Sequence, residues 1–205
     1  MSVKVKICGI TNSADAQAAV EAGADMVGFV FAEASPRFVS VETAAAISQT
    51  LPTHVVRVGV FVNALEEFVA DTARECGLSL LQFHGDENSW FCTQFGIMSM
   101  KAFRMRDEKS LDELLSFTTD AWLLDAHVEG ERGGSGQTFN WHLAVAAQKF
   151  GKPLFLAGGL RPENVAQAIR EVRPFAVDVS SGVESLPGKK DHAKIAAFVR
   201  AAKLD

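Results

Sequence analysis

One sequence pattern recurs along the chain: a helical segment ends at a glycine, and a short apolar run follows at once. A glycine just past a helix adopts the left-handed conformation at little cost, so each occurrence of the pattern predicts a helix end followed by a buried strand. The clearest examples are Glu21 to Phe29, Glu75 to Leu81, Gln94 to Met100 and Lys149 to Phe155. Repeated junctions of this kind are typical of a parallel sheet whose strands are joined by helices.

Eight strands with helical patterns between them are predicted along the 205 residues. They run approximately from Val3 to Cys8, Met26 to Phe31, Val55 to Phe61, Leu78 to Phe83, Ile97 to Phe103, Ala121 to Asp125, Leu154 to Ala157 and Phe175 to Val179. Ser13 is predicted to cap the first helix, and Asp191 lies near the start of the last. Eight units in so short a chain favour a single-domain (β/α)8 TIM barrel over an open doubly wound sheet, so we expect residues 1–205 to form one catalytic barrel domain.

Charge and composition exclude several classes of function. The net charge is −5 and no basic cluster is visible, which disfavours a nucleic-acid partner. No apolar run approaches the roughly 20 residues of a membrane helix, so no membrane partner is expected. Cys8, Cys76 and Cys92 are too scattered for a disulfide framework or a zinc site, and the histidines lack the spacing of a metal pair. We therefore expect a cytoplasmic protein without a metal.

Cys8 is the first candidate for chemistry. If successive side chains of the first strand alternate in direction, Val5 and Ile7 point toward the helices, whereas Lys6 and Cys8 point into the barrel. Cys8 ends that strand, and ligands of parallel α/β folds bind at the carboxyl ends of the strands. A thiol in this position is a candidate catalytic base, and the alternative is an inert buried cysteine.

Asp125 is the second candidate, because it is the last residue of an apolar strand. Burial of an isolated charge is costly, so this carboxylate must be hydrated, paired or functional. The alternative to a functional role is a solvated strand end. Cys8 and Asp125 come from the first and sixth strands, so two proton-transfer groups could approach a bound substrate from different directions.

Glycine-bearing turns follow the last two strands. Gly158 and Gly159 come after the seventh strand, and Ser180, Ser181 and Gly182 come after the eighth. Glycines let backbone amides approach an anion, and the loops after strands seven and eight are a frequent phosphate site of TIM barrels. Each turn alone is weak evidence, since turns use glycine for backbone reasons. Together they predict a phosphate site.

Three further loops carry polar groups toward the same edge. Arg37 follows the second strand, where its planar guanidinium suits a carboxylate, although a solvent-facing charge is the alternative. His84 follows the fourth strand and either donates a hydrogen bond to a ligand or caps its loop. Gly134 and Ser135 lie in the glycine-rich loop after the sixth strand, which lacks the lysine of a P-loop. We expect that loop to be a mobile cover that adds a phosphate contact.

The barrel interior is predicted to contain an ion pair. Alternation places Lys6 inward on the first strand and Asp178 inward on the eighth, and these strands are neighbours in a closed barrel. A buried ammonium and a buried carboxylate are each costly alone, so we expect the two side chains to interact directly or through one water.

Seven segments in order resemble the phosphoribosylanthranilate isomerase family, and together they extend over essentially the whole chain. They are KICGIT at 6–11, GFVF at 28–31 with SPR at 35–37, QFHG at 82–85, LDA at 124–126, GGSG at 133–136, LAGGL at 156–160 and DVSSGVE at 178–184. Two departures are small: Phe83 stands where leucine is usual, and Asn140 precedes Trp141 where aspartate is common.

The resemblance implies isomerisation of N-(5-phosphoribosyl)anthranilate by an Amadori rearrangement in tryptophan biosynthesis, without a cofactor. Asp125 matches the general acid that protonates the furanose ring oxygen, and Cys8 matches the general base that removes the proton from sugar C2. Arg37 would orient the anthranilate carboxylate, and His84 and Asp178 would contact substrate. The expected partner is the phosphorylated sugar–anthranilate substrate alone, with the protein a monomer or homodimer.

Two alternatives remain open at this point. The histidine-pathway sugar isomerase, or its dual-substrate relative, performs the same rearrangement on a similar barrel, but by resemblance those enzymes place aspartate where this chain has Cys8. The second alternative is a non-catalytic barrel that binds a phosphorylated sugar, for which the loops after strands seven and eight suffice.

Overall fold

Eight parallel strands form the centre of the molecule in a computed structural model that describes residues 2–125 and 141–204. The strands are β1 (Lys4–Cys8), β2 (Met26–Val30), β3 (Val56–Phe61), β4 (Leu80–Phe83), β5 (Met98–Arg104), β6 (Ala121–Asp125), β7 (Leu154–Ala157) and β8 (Ala176–Val179). Each strand pairs in parallel with the next, and β8 pairs with β1 to close the barrel. The predicted TIM barrel is confirmed, and the predicted strand ends lie within two residues of the observed ones.

The helices alternate with the strands as predicted. They are α1 (Ser13–Glu21), α2 (Val41–Thr50), α3 (Glu66–Glu75), α4 (Ser89–Thr93), α5 (Ser110–Leu114), α6 (Trp141–Ala147), α7 (Val165–Val172) and α8 (His192–Lys203). A short antiparallel pair, β9 (Glu184–Leu186) with β10 (Lys189–Lys190), lies between β8 and α8 and was not predicted.

The helix caps correct one prediction and confirm another. Asn12, not Ser13, caps α1, because its side chain accepts a hydrogen bond of 2.9 Å from the Asp15 N–H and Ser13 is already helical. Asparagine and serine cap equally well, so residue type alone could not choose between these neighbours. Asp191 caps α8 by accepting from the Lys194 N–H at 3.1 Å.

Side-chain alternation divides the apolar residues into two layers. Val5, Ile7 and other outward residues pack with the helices in one large cluster. Met26, Val58, Leu80 and other inward residues fill the barrel in a second cluster. Cys8 belongs to a small third cluster with Val30 and Val60. The predicted inward orientation of Cys8 is therefore confirmed, and its thiol lies at the carboxyl end of the barrel.

Lys6 and Asp178 form the predicted ion pair, with 2.8 Å between the Lys6 Nζ and the Asp178 Oδ1. Their side chains are 0% and 10% exposed, and the two residues are also directly opposite in the β1–β8 register. Burial alone lowers the pKa of Lys6, but the Asp178 carboxylate and the nearby Cys8 hold that pKa above its usual value. The pair fixes β1 against β8 one layer below Cys8.

Removing one partner of this pair is expected to destabilise the barrel strongly. Asp178→Asn leaves the buried Lys6 ammonium without its counter-ion, so we expect the free energy of unfolding to fall by about 3–5 kcal/mol. Urea denaturation measures the change. Asp71→Asn in the exposed Arg74–Asp71 pair is the matched control, with an expected change within about 0.5 kcal/mol. Equal effects of the two substitutions would contradict a structural role for the buried pair.

Candidate active site

The predicted site residues that the structure describes lie at one end of the barrel. Cys8 and Asp125 are the last residues of β1 and β6, His84 follows β4, and Asp178 is on β8. This is the carboxyl-terminal end of the strands, where the active sites of TIM-barrel enzymes lie. The fold therefore brings together side chains that are far apart in the sequence.

Cys8 lies in an electropositive part of this mouth. It is opposite Gly28 on β2, where a Cβ would lie 2.8 Å from the Cys8 Sγ and 3.2 Å from the Lys6 Nζ. The absence of a side chain at Gly28 thus leaves room for the thiol and the ammonium. Lys6, Arg37 and Lys190 each interact electrostatically with Cys8. Reactive cysteines occupy electropositive surroundings of this kind.

His84 and Asp125 are adjacent at the mouth, with 3.7 Å between the His84 Nε2 and the Asp125 Oδ2. Burial holds the pKa of His84 below its usual value, against the opposing effect of the Asp125 and Asp178 charges. The imidazole is therefore neutral at pH 7. The Gln82 Nε2 lies 3.4 Å from the His84 Nδ1. If that amide donates, the ring proton is on Nε2, the nitrogen that faces Asp125.

Arg37 contacts a residue that sequence reasoning did not single out. Its Nε donates to the Glu184 Oε1 at 2.8 Å, and its Nη2 donates to the Glu184 Oε2 at 2.7 Å. The Arg37 side chain is packed against Gly9, where a Cβ would lie 2.6 Å from the Arg37 Cδ. The guanidinium is thus near the mouth, as expected, but a protein carboxylate occupies the fork that the sequence assigned to a substrate carboxylate.

The two glycine-bearing turns contact each other. Gly158 and Gly159 both have the positive φ that follows from a sharp turn, and the Cα of Gly182 approaches the Leu160 carbonyl so closely that a Cβ would overlap it. The backbone N–H groups of Gly159, Ser181 and Gly182 donate to no acceptor within residues 2–125 and 141–204. N–H groups of this kind, on two adjoining turns, are suited to an anion.

Gly134 and Ser135, the predicted contacts from the sixth loop, lie outside the described residues. The Asn140 departure lies there too.

A second buried ion pair, which the sequence analysis also missed, fixes the loop after His84. The Lys101 Nζ donates to the Gly85 carbonyl at 2.5 Å and to the Glu87 Oε2 at 3.0 Å, and the same Glu87 oxygen accepts from the Gly85 N–H at 2.9 Å. Glu87 also accepts from the Asn63 N–H at 2.7 Å. A lysine at the centre of a mostly apolar strand was the available signal, because a buried lysine requires a partner.

Neither a metal cluster nor a membrane span is found in the described part of the chain. No three His, Cys, Asp or Glu side chains in residues 2–125 and 141–204 are grouped so as to hold a metal ion. Among the described helices, none combines the length and apolar character needed to cross a bilayer.

Comparisons with known proteins point to one family. Residues 5–201 match the family model of N-(5'phosphoribosyl)anthranilate (PRA) isomerase. The N-(5'-phosphoribosyl)anthranilate isomerase of Geobacter sulfurreducens is 53% identical over 201 residues, which are 98% of each chain. The crystal structure of phosphoribosyl anthranilate isomerase from Thermotoga maritima has a TM-score of 0.90, with 48% identity and 98% of each chain covered.

A further solved structure shows a relative with a ligand. It is a phosphoribosyl anthranilate isomerase in complex with reduced 1-(o-carboxyphenylamino)-1-deoxyribulose 5-phosphate. Its TM-score is 0.88, its identity is 46%, and 98% of each chain is covered.

Proposed function

The chain belongs to the N-(5'-phosphoribosyl)anthranilate isomerase family, and we propose that its Cys8 and Asp125 carry the proton transfers of that reaction. The protein isomerises N-(5'-phosphoribosyl)anthranilate in tryptophan biosynthesis, and the product is 1-(2-carboxyphenylamino)-1-deoxyribulose 5-phosphate. One observation carries the assignment of residues: a thiol and a carboxylate end β1 and β6 at the same mouth of a closed barrel.

Asp125 acts first, as the general acid. Its carboxyl group protonates the ring oxygen of the ribose, the bond from that oxygen to C1 breaks, and the anthranilate nitrogen shares the positive charge as a Schiff base. The neutral His84 imidazole, whose Nε2 lies 3.7 Å from the Asp125 Oδ2, contacts the substrate beside this acid. A protonated carboxyl suits this step because the ring oxygen becomes a hydroxyl as it leaves.

Cys8 then acts as the general base. Its thiolate takes the proton from sugar C2, which the adjacent iminium has made acidic, and the C–H electron pair forms the double bond of an enolamine. The enolamine tautomerises to the ketone product. The positively charged side chains of Lys6, Arg37 and Lys190, which interact electrostatically with Cys8, support its assignment as the base.

The phosphate of the substrate is held by the adjoining turns after β7 and β8. Support comes from the contact between Gly182 and Leu160 and from the backbone N–H groups of Gly158, Gly159, Ser181 and Gly182 at those turns. Ser180 belongs to the same turn. Contacts from Gly134 and Ser135, which lie outside the described residues, stay a prediction. Asp178, held by Lys6, faces the sugar from β8.

Gly182→Ala is expected to weaken phosphate binding. The new Cβ would overlap the Leu160 carbonyl and push the two turns apart, so we expect the inhibition constant of inorganic phosphate to rise about tenfold, which corresponds to about 1.4 kcal/mol. Steady-state inhibition assays measure this inhibition constant. Gly151→Ala, in the loop before β7 with no neighbour within 4 Å of its Cβ, is the control. Its positive φ lowers stability, but the inhibition constant should be unchanged. An unchanged constant in Gly182→Ala would place the phosphate elsewhere.

Turnover with freshly generated N-(5'-phosphoribosyl)anthranilate tests the function itself. We expect product formation with this substrate by the purified wild-type protein. Turnover of the histidine-pathway substrate alone would favour the related sugar isomerase. Tight binding of the reduced product analogue without turnover of either substrate would favour a non-catalytic barrel.

We also propose that residues 1–205 act as one catalytic domain, in the cytoplasm, without a cofactor, and as a monomer or homodimer. The continuous eight-strand barrel supports one domain, and the three free cysteines support a reducing compartment. Light scattering during size-exclusion chromatography measures the oligomeric state.

A further inference from the structure

A network of three charged residues lies beside the mouth, and two of them, Arg37 and Lys190, interact electrostatically with Cys8. It consists of Arg37, Glu184 and Lys190, here called the charged triad. Glu184 is at its centre: the Oε1 accepts from the Lys190 Nζ and from the Arg37 Nε, both at 2.8 Å, and the Oε2 accepts from the Arg37 Nη2 at 2.7 Å. The charged triad thus joins the loop after β2 to the β9–β10 hairpin.

Lys190 is the most unusual member, because its side chain is 0% exposed. Its Nζ has three hydrogen-bond partners, the Glu184 Oε1 at 2.8 Å, the Ser180 carbonyl at 3.2 Å and the Ser180 Oγ at 3.4 Å. Burial lowers the pKa of Lys190, and the Glu184 carboxylate opposes that effect. Three acceptors around one nitrogen match the three N–H donors of an ammonium. A buried ammonium is costly, so its retention calls for a reason.

The charges of the charged triad supply that reason. Arg37 and Glu184 alone form a bidentate pair with no net charge, which would offer a carboxylate ligand hydrogen-bond donors but little electrostatic attraction. Lys190 adds a second positive charge to the same carboxylate, so the three residues together carry one net positive charge. Glu184 fixes the guanidinium plane, and the Arg37 Nη1 has no acceptor among residues 2–125 and 141–204, so it can bind a ligand.

We propose that Lys190 is a positioning residue that sets the preference of this enzyme for a carboxylated aromatic ring, by offsetting the charge of the Glu184 that orients Arg37. The inference rests on the proposed function and on the prediction from the family resemblance that Arg37 orients the anthranilate carboxylate. Lys190 itself does not touch the substrate. It also holds the Ser180 carbonyl, and so ties the recognition of the ring carboxylate to the turn that follows β8.

The test compares two ligands by isothermal titration calorimetry. One is the reduced product analogue, and the other is the same compound without the ring carboxyl group. The ratio of their dissociation constants is the carboxyl preference. It is measured in the wild type and in Lys190→Met, which fills the same space without a charge. Lys189→Met, which removes the charge of an exposed neighbour, is the matched control.

We expect Lys190→Met to lower the carboxyl preference about tenfold. Both ligands carry the same phosphate near the Ser180 turn that Lys190 contacts, so any effect on phosphate binding cancels in this ratio. A unit charge about 10 Å from the ring carboxylate, in an effective dielectric constant of about 20, accounts for a change of about tenfold. Lys189→Met should retain the wild-type preference, because water screens its charge. A general disturbance of the site would instead weaken both ligands equally.

The double variant Lys190→Met with Glu184→Gln separates charge from shape. The double variant removes one positive and one negative charge, so the three positions together again carry one net positive charge, that of Arg37. The glutamine oxygen still accepts a hydrogen bond from the Arg37 Nε. We expect it to recover most of the lost preference. A wild-type preference in Lys190→Met, equal weakening of both ligands, or a double variant no better than the single one would overturn the inference. None of these three outcomes affects the proposed function. Only the absence of turnover by the wild-type protein would overturn that function.

Discussion

Cys8→Ser is expected to lower kcat by about 10²- to 10⁴-fold while the fold is retained. The substitution changes little volume, but a hydroxyl is a far poorer base than a thiolate at neutral pH, and general bases commonly contribute a factor of this size. Steady-state kinetics with freshly generated substrate measures kcat. Circular dichroism and urea denaturation verify that the barrel is intact.

Cys76→Ser is the matched control for Cys8→Ser. Burial raises the pKa of Cys76 to about 11, and burial raises that of Cys92 to about 12, so both thiols are protonated at neutral pH and neither is a base. Cys76 lies at the end of α3, where its Sγ contacts the Val41 carbonyl and not the mouth. We expect kcat within about twofold of wild type. Equal losses in Cys8→Ser and Cys76→Ser would contradict the assignment of Cys8 as the base.

Asp125→Asn is expected to lower kcat by a similar factor of about 10²–10⁴, for a different reason. An amide of the same shape has no acidic proton to give to the ring oxygen, so the sugar ring stays closed. The measurement is kcat with the same substrate. Asp71→Asn on the exposed surface of α3 is the control and should be indistinguishable from wild type.

A deuterium label at sugar C2 tells the two catalytic variants apart. In Cys8→Ser the C–H bond is broken in the slow step, so we expect a large primary isotope effect on kcat. In Asp125→Asn ring opening is slow and precedes C–H cleavage, so the isotope effect should be suppressed. The reverse pattern would exchange the proposed roles of Cys8 and Asp125.

The barrel could be predicted from sequence because strand and helix patterns alternate without interruption. The same alternation identified the inward positions of Lys6, Cys8 and Asp178 and the ion pair between the first and last of these. These predictions depend only on a period of two within a strand and on the closure of β8 against β1. The first property is local and the second follows from the number and order of the strands, so both can be inferred from the sequence.

The contacts of the charged triad could not be predicted in the same way. Arg37 and Glu184 are separated by 147 positions, and which of several carboxylates meets a loop arginine depends on how two loops pack. The β9–β10 hairpin that carries Lys190 has only three and two residues in its strands, too few for a periodic pattern. The resemblance assigned Arg37 to the substrate, but only the folded chain shows the protein carboxylate that orients it.

A crystal structure of this protein with the reduced product analogue would show whether Cys8 and Asp125 lie at the two reacting atoms. We predict that the carbon derived from sugar C2 lies in contact with the Cys8 Sγ, at about 3–3.5 Å, and that the hydroxyl derived from the ring oxygen lies within hydrogen-bond distance of the Asp125 carboxyl group. A sugar chain bound at the mouth with C2 directed away from Cys8, or with its former ring oxygen remote from Asp125, would contradict the account.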